Sequence, residues 1–243
     1  MSLFAASLAV VGWSTGVFAG GNAILVSAPV EKVFVPQGFD DNDKVEVIVH
    51  GHFTSSCYKM GPVTAAINHE TNKILVRAES YFYPNAVCIQ MMIPFIKSVE
   101  LPGQLSAGVY SIEVAQSPDL KPTVLSVGRS TSPDPDDYLY AGVNSVDLTR
   151  GLPGQSEIVL RGEHPYLLQG CVKFTSVRTY MSPTNVLVVQ PITEIVSGDQ
   201  CPAGASDHHF EERVDVPALA TGEYVIHVRA LDGNSLNQFV RID

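Results

Sequence analysis

Four cysteines and seven histidines are the residues of this chain best suited to chemistry. The cysteines form two pairs, Cys57 with Cys88 and Cys171 with Cys201, spaced 31 and 30 residues apart. Matched spacing predicts two disulfides, each closed within its own half of the chain, and an oxidising compartment. A zinc site needs C-x-x-C or mixed Cys/His ligand spacing, which is absent. His50 and His52 sit two apart in a strand-like stretch and share one face, so both can reach one ion. With the thioethers of Met60, Met91 and Met92, that pair would suit copper. Against it, a site needs three or four convergent ligands. In addition, His50 aligns with Arg161 further along the chain and reads as a solvated strand-end residue. His208 and His209 are adjacent, so a strand would aim them to opposite faces. The acidic turn Gly38-Phe39-Asp40-Asp41-Asn42-Asp43 has the oxygen chemistry of a calcium loop but not the EF-hand spacing. Its counterpart Gly151-Leu152-Pro153-Gly154 has no carboxylate, so the turn reads as local hydrogen bonding. No metal and no cofactor are therefore expected.

Catalytic motifs are missing. There is no G-x-S-x-G and no H-E-x-x-H, and no thiol is left over once the bridges form. Glu46, Glu100 and Asp215 alternate with apolar positions, the pattern of a strand's solvent face. The chain reads as a non-enzyme, and its best binding candidate is the run Tyr81, Phe82 and Tyr83, ahead of Pro84 and Cys88. Three rings in a loop pinned by a disulfide make a rigid contact surface, with Phe82 or Tyr83 expected to be accessible. The competing reading is that the rings cap the open end of their own domain. The second half carries the polar Ser197-Gly198-Asp199-Gln200 there.

These residues need elements to position them, and the chain states those elements twice. EVIVHG (Glu46 to Gly51) reappears as EIVLRG (Glu157 to Gly162), and VELPGQLSAGVYSIEV (Val99 to Val114) as VDVPALATGEYVIHV (Val214 to Val228). A period of about 110 residues is the size of a domain, not of a solenoid repeat. Strand signals dominate: Val45, Val47 and Val49 alternate with Glu46, Ile48 and His50, which predicts a half-buried strand. Hairpins are expected at His69 to Asn72, at Ser182 to Asn185 and at Leu231-Asp232-Gly233-Asn234, where Asp-Gly is a strong turn signal. About seven short strands per copy predict an all-β protein of two tandem immunoglobulin-like β-sandwiches, each antiparallel and each holding one disulfide. The segments LSAGVY and LATGEY support this. Leu-x-x-Gly-x-Tyr before the penultimate strand resembles the tyrosine corner of immunoglobulin-like domains, which would give Tyr110 and Tyr224 structural roles. The resemblance is to an architecture: Ile112 and Ile226 stand where antibody-type domains place a cysteine. The predicted layout is a signal peptide over 1–23, sandwiches over 24–128 and 142–243, and a Pro/Asp-rich linker over 129–141. Tyr138, Leu139 and Tyr140 in that linker are too apolar for a free tether and are expected to pack at the junction.

Charge and leader bound the setting. The net charge is −10 and no basic cluster exists, which argues against nucleic acid. The first charged side chain is Glu31. The uncharged start suits a signal peptide ending at Val17-Phe18-Ala19 better than a retained anchor. No N-x-S/T sequon is present, which favours a bacterial setting. Together these features predict a secreted or periplasmic, non-catalytic binding or scaffold protein. Its partner would be a protein or glycan, with no nucleic acid and no membrane contact after cleavage. The alternatives are a periplasmic copper or calcium protein and an accessory domain pair of an exported enzyme.

Overall fold

The structure is a computed structural model that describes residues 22–134, 136–150, 155–165, 171–197 and 209–243. It is all-β. The first copy contains β1 (Ile24–Ser27), β2 (Val30–Phe34), β3 (Phe39–Asp40), β4 (Glu46–Ser55), β5 (Tyr58–Asn68), β6 (Lys73–Phe82), β7 (Gln90–Glu100), β8 (Gly108–Val114) and β9 (Thr123–Gly128). The second contains β10 (Val143–Arg150), β11 (Gln155–Glu163), β12 (Val172–Met181), β13 (Val186–Ile195), β14 (His209–Pro217), β15 (Gly222–Ala230) and β16 (Asn234–Ile242). In the first copy β2-β4-β7 faces β1-β6-β8-β9-β3, with β5 also on β6. In the second β10-β11-β14 faces β12-β13-β15-β16. Each pair of sheets encloses its own core. Val47, Val49, Ile74, Val76, Ile112 and Leu125 fill the first, and Ile158, Leu160, Leu187, Val189, Ile226 and Val228 fill the second. Both copies are β-sandwiches, consistent with the immunoglobulin-like expectation.

The expectation of antiparallel strands is corrected by parallel ladders, one of which recurs in both copies. β6 pairs β8 in parallel, and β13 pairs β15 in parallel. The cause is the route of the chain. After β6 it crosses to the opposite sheet as β7 and then returns as β8, so two reversals restore the original direction. In the second copy β13, β14 and β15 repeat the path. Period-two alternation identifies β6 as a strand but says nothing about the direction of its neighbour. The short β3 is also parallel to β9.

The repeated glycine of EVIVHG and EIVLRG has a steric cause. A Cβ on Gly51 would run into the Pro29 carbonyl and lie 2.7 Å from Phe95 Cζ. On Gly162 it would meet the Gly142 carbonyl and lie 2.7 Å from Phe210 Cζ. The predicted hairpins are present, and their tips use left-handed residues: Asn72 at φ 50°, Asn185 at φ 61°, and Asp232 and Gly233 at φ 64° and 66°. Tyr110 makes the tyrosine-corner bond, its hydroxyl donating to the Ser106 carbonyl at 2.9 Å. Tyr224 does not. Its ring packs over Gly222, and no hydrogen bond to its hydroxyl is found among the described residues. The motif thus placed both rings and fixed only one bond.

The two sandwiches stack face to face. Phe34 and Ile48 on the outer face of β2-β4-β7 pack with Val186, Val188 and Val225 of β13 and β15 into a third core, flanked by Tyr180 and Phe239. Fully burying side chains of this size contributes roughly 1.5–3 kcal/mol each. β4 is accordingly buried on both faces, a correction to its half-buried reading. His50, expected to be solvated, is only 2% exposed and stacks on Phe239 at 4.6 Å. Polar links ring the apolar centre. Tyr180 donates its hydroxyl to the Gln37 carbonyl at 2.6 Å, Thr184 Oγ1 bonds both backbone groups of Val35, and Lys32 reaches the Glu223 carbonyl at 3.2 Å.

Register distinguishes the faces that meet from their counterparts in the other copy. Phe34 and Ile48 of the first copy correspond to Asp147 and Val159 of the second, and His50 corresponds to Arg161. Val225 and Phe239 of the second copy correspond to Ser111 and Val124 of the first. The inner faces are thus apolar. The outer face of the second copy carries the ion pairs Arg161–Asp147, Arg161–Glu211 and Arg213–Glu157. The segment between copies is packed. Tyr140 bridges to Ile192, Thr193 N–H donates to the Leu139 carbonyl at 2.7 Å, and Arg178 lies 4.8 Å over the Tyr138 ring.

Candidate functional site at the disulfide tip

The end of the first sandwich far from the second copy gathers five strand termini. Tyr58 opposes Phe82, and Leu25 and Lys59 both oppose Tyr81, which brings β1, β5 and β6 together. Tyr83 N–H donates to the Cys57 carbonyl at 3.0 Å, and Ser56 N–H to the Ile89 carbonyl at 3.0 Å. The disulfide Cys57–Cys88 joins the end of β4 to the approach to β7, with its Cα atoms 5.3 Å apart. The predicted first bridge is therefore present. For the second, Cys201 lies outside the described residues.

The three aromatic candidates part company here. Strand alternation turns Phe82 inward, where it stacks on Tyr58 at 4.8 Å. Tyr58 stacks on Phe53, and Phe53 on Phe95 at 4.6 Å. Phe82 thus caps its own core. Tyr83 is half-buried beside Lys59, whose Nζ lies 5.6 Å from the ring. Tyr81 faces outward and is the most exposed of the three, where Phe82 or Tyr83 was expected. Sequence reasoning missed the aliphatic part of the surface. Val87 is fully exposed, Ile89 66%, Met92 60% and Met91 51%, and Ile24 and Leu25 add to them from β1. A usable signal existed: no charged residue occurs from Ser80 to Ile96.

The other candidate chemistries do not assemble. His50 and His52 are neighbours, with ring centroids 5.0 Å apart. Met60 instead packs on the first core while His50 faces the second copy. Met91 and Met92 belong to the tip. Among the described residues no group of three or more His, Cys, Asp or Glu is placed to hold a metal ion. The acidic turn is occupied by protein donors. Asp43 takes Arg229 in two bonds of 3.1 and 2.7 Å, and Asp41 accepts the Ser130 N–H. His208 lies outside the described residues, as do residues 151–154 and 198–200.

The titratable groups perturbed by burial lie at the junction. Burial disfavours the Arg229 charge, but the Asp43 carboxylate outweighs it and holds the guanidinium pKa above its usual value. Arg229 also sits 4.6 Å over Phe39. Burial pushes Tyr180 up to about 12. Burial would raise Glu46, but hydrogen bonds from His227, Ser235 and Asn237 prevail and lower it. Glu46 was read as a solvent-face carboxylate and is instead a junction residue, whereas Glu100 and Asp215 are exposed. Burial lowers His50, and neither ring nitrogen has a hydrogen-bond partner. A cleft of ≈ 570 Å³ opens beside this junction, lined by Lys44, Asp136, Tyr138, Tyr140 and Asp232 among others. Such groups hold the two domains together.

Residues 47–121 match the family model of the ORF11 beta-sandwich domain. The matched stretch is similar to that domain and lies within the first sandwich, from β4 to beyond β8. No curated protein and no solved structure matches the chain. No helix among the described residues is long and apolar enough to cross a membrane.

Proposed function

We propose that this is an exported, non-catalytic binding or scaffold protein whose contact surface is the disulfide tip of the first sandwich. The observation that carries the reading is the gathering of exposed Tyr81, Val87, Ile89, Met91 and Met92 around one bridge. Soluble proteins rarely expose contiguous apolar patches of this kind unless something covers them. The rigid junction supports a scaffold role, because it fixes one sandwich against the other and leaves the tip free. The disulfide fits an oxidising compartment outside the cytoplasm. The test compares association of the wild-type protein with that of Tyr81→Ala and Ile89→Asp, using cross-linking in the native compartment. Loss of the adducts at unchanged melting temperature supports the reading. Adducts that persist in both variants move the contact surface elsewhere.

A further inference from the structure

The tip is bare of charge as well as apolar. Three uncharged stretches build it: Asn22 to Val30, Gly51 to Tyr58 apart from His52, and Ser80 to Ile96. Lys59 is the cation at its rim, beside Tyr83. Protein-docking surfaces place polar and charged residues around an apolar centre. Here the most exposed residues are the aliphatic ones, Val87, Ile89, Met92 and Met91, whereas Tyr81 is 40% exposed and Tyr83 is half-buried beside Lys59. Uncharged, highly exposed aliphatic side chains flanked by tyrosines and a lysine are the residue types found at the boundary of a bilayer. The chain that enters this end points the same way. Residues 1–23 carry no charged side chain and immediately precede β1 in sequence, whose Ile24 and Leu25 are exposed on the tip. Cys57–Cys88 holds the Val87–Ile89 turn in place, so little ordering is required when it inserts.

We infer that the partner of the tip is a lipid bilayer surface, into which Val87, Ile89, Met91 and Met92 insert with Leu25 and Tyr81 at the boundary. This rests on the tip being the contact surface. The net charge of −10 means that attraction to anionic headgroups does not drive the contact. Binding instead follows the apolar area buried and is insensitive to salt.

The test uses the chain from Asn22 onward, which contains every described strand and all three cores. It is floated with vesicles of phosphatidylcholine alone at low and high salt. Wild type is expected to float equally at both, and V87D/M92D at least about tenfold less at an unchanged melting temperature. That chain has no tryptophan, since the one tryptophan of the sequence is Trp13. Val87→Trp therefore provides a single reporter, expected to shift to the blue on adding vesicles and to be quenched by brominated lipid. Val109→Trp, on the outer face of β8, should do neither. A wild type that stays with the aqueous fraction, or a Val87→Trp variant whose fluorescence ignores brominated lipid, overturns the lipid assignment. If the cross-linked partners of the proposed contact surface still depend on the tip, that broader reading survives. If they do not, both fail.

Discussion

Removing the carboxylate of Asp43 should be the most damaging single change at the junction. Arg229 and Asp43 are 8% and 3% exposed at their side chains and joined by two hydrogen bonds. In Asp43→Ala the guanidinium stays buried against Phe39 and near Tyr140, and the two donors that Asp43 accepted lose their partner. Breaking a buried pair from one side typically costs about 3–5 kcal/mol. In a chain of this size each kcal/mol lowers the melting temperature by roughly 2–4 °C. The expected fall is therefore roughly 6–20 °C. The exposed pair Lys73–Glu113, at 55% and 37% exposure, provides the contrast, since Glu113→Ala should cost less than ~1 kcal/mol. The double variant Asp43→Leu with Arg229→Met should recover most of the loss, because replacing a buried pair by apolar groups of similar size is often neutral. The assay is thermal and denaturant unfolding followed by circular dichroism. A shift in Asp43→Ala no larger than that in Glu113→Ala would mean that water reaches the pair, and the buried junction would be wrong.

Tyr110→Phe should cost about 0.5–1.5 kcal/mol in denaturant melts, the net worth of one hydrogen bond, whereas Tyr224→Phe should cost close to nothing. Equal effects would contradict the difference between the two corners. Burial lowers the pKa of His50 below its ordinary 6.5, so the unfolded chain binds a proton that the folded one resists. Stability is then fully present above pH ~6.5 and declines as pH falls toward the depressed value. His50→Phe should flatten that slope, and identical slopes between pH 7 and 5 would count against it. Reducing Cys57–Cys88, which closes 31 residues of separation, should lower stability by about 3–4 kcal/mol. Non-reducing peptide mapping should return the two intradomain pairs, and a bridge between copies such as Cys88–Cys171 would refute the pairing.

Much of this architecture was legible in residue patterns. Alternation in Lys73–Phe82 and the Asp232-Gly233 turn rest on local geometry, which sequence encodes directly, and the pairing of Cys57 with Cys88 was expected from the cysteine spacing. The repeated Gly51 and Gly162 were visible as identities, and a clashing carbonyl explains them. The tip was half legible. Its aromatic run stood out, whereas Val87, Ile89, Met91 and Met92 read as ordinary apolar residues, because a composition does not say which side chains the fold leaves uncovered. Only the tertiary structure decided the parallel ladders, since pairing direction depends on how often the chain crosses between sheets. It alone decided the fates of His50 and Glu46. Their solvent-face pattern is correct for one sandwich considered by itself. A second sandwich then covers that face, and which surfaces two domains share is set by their mutual complementarity, a property that no window along one strand contains.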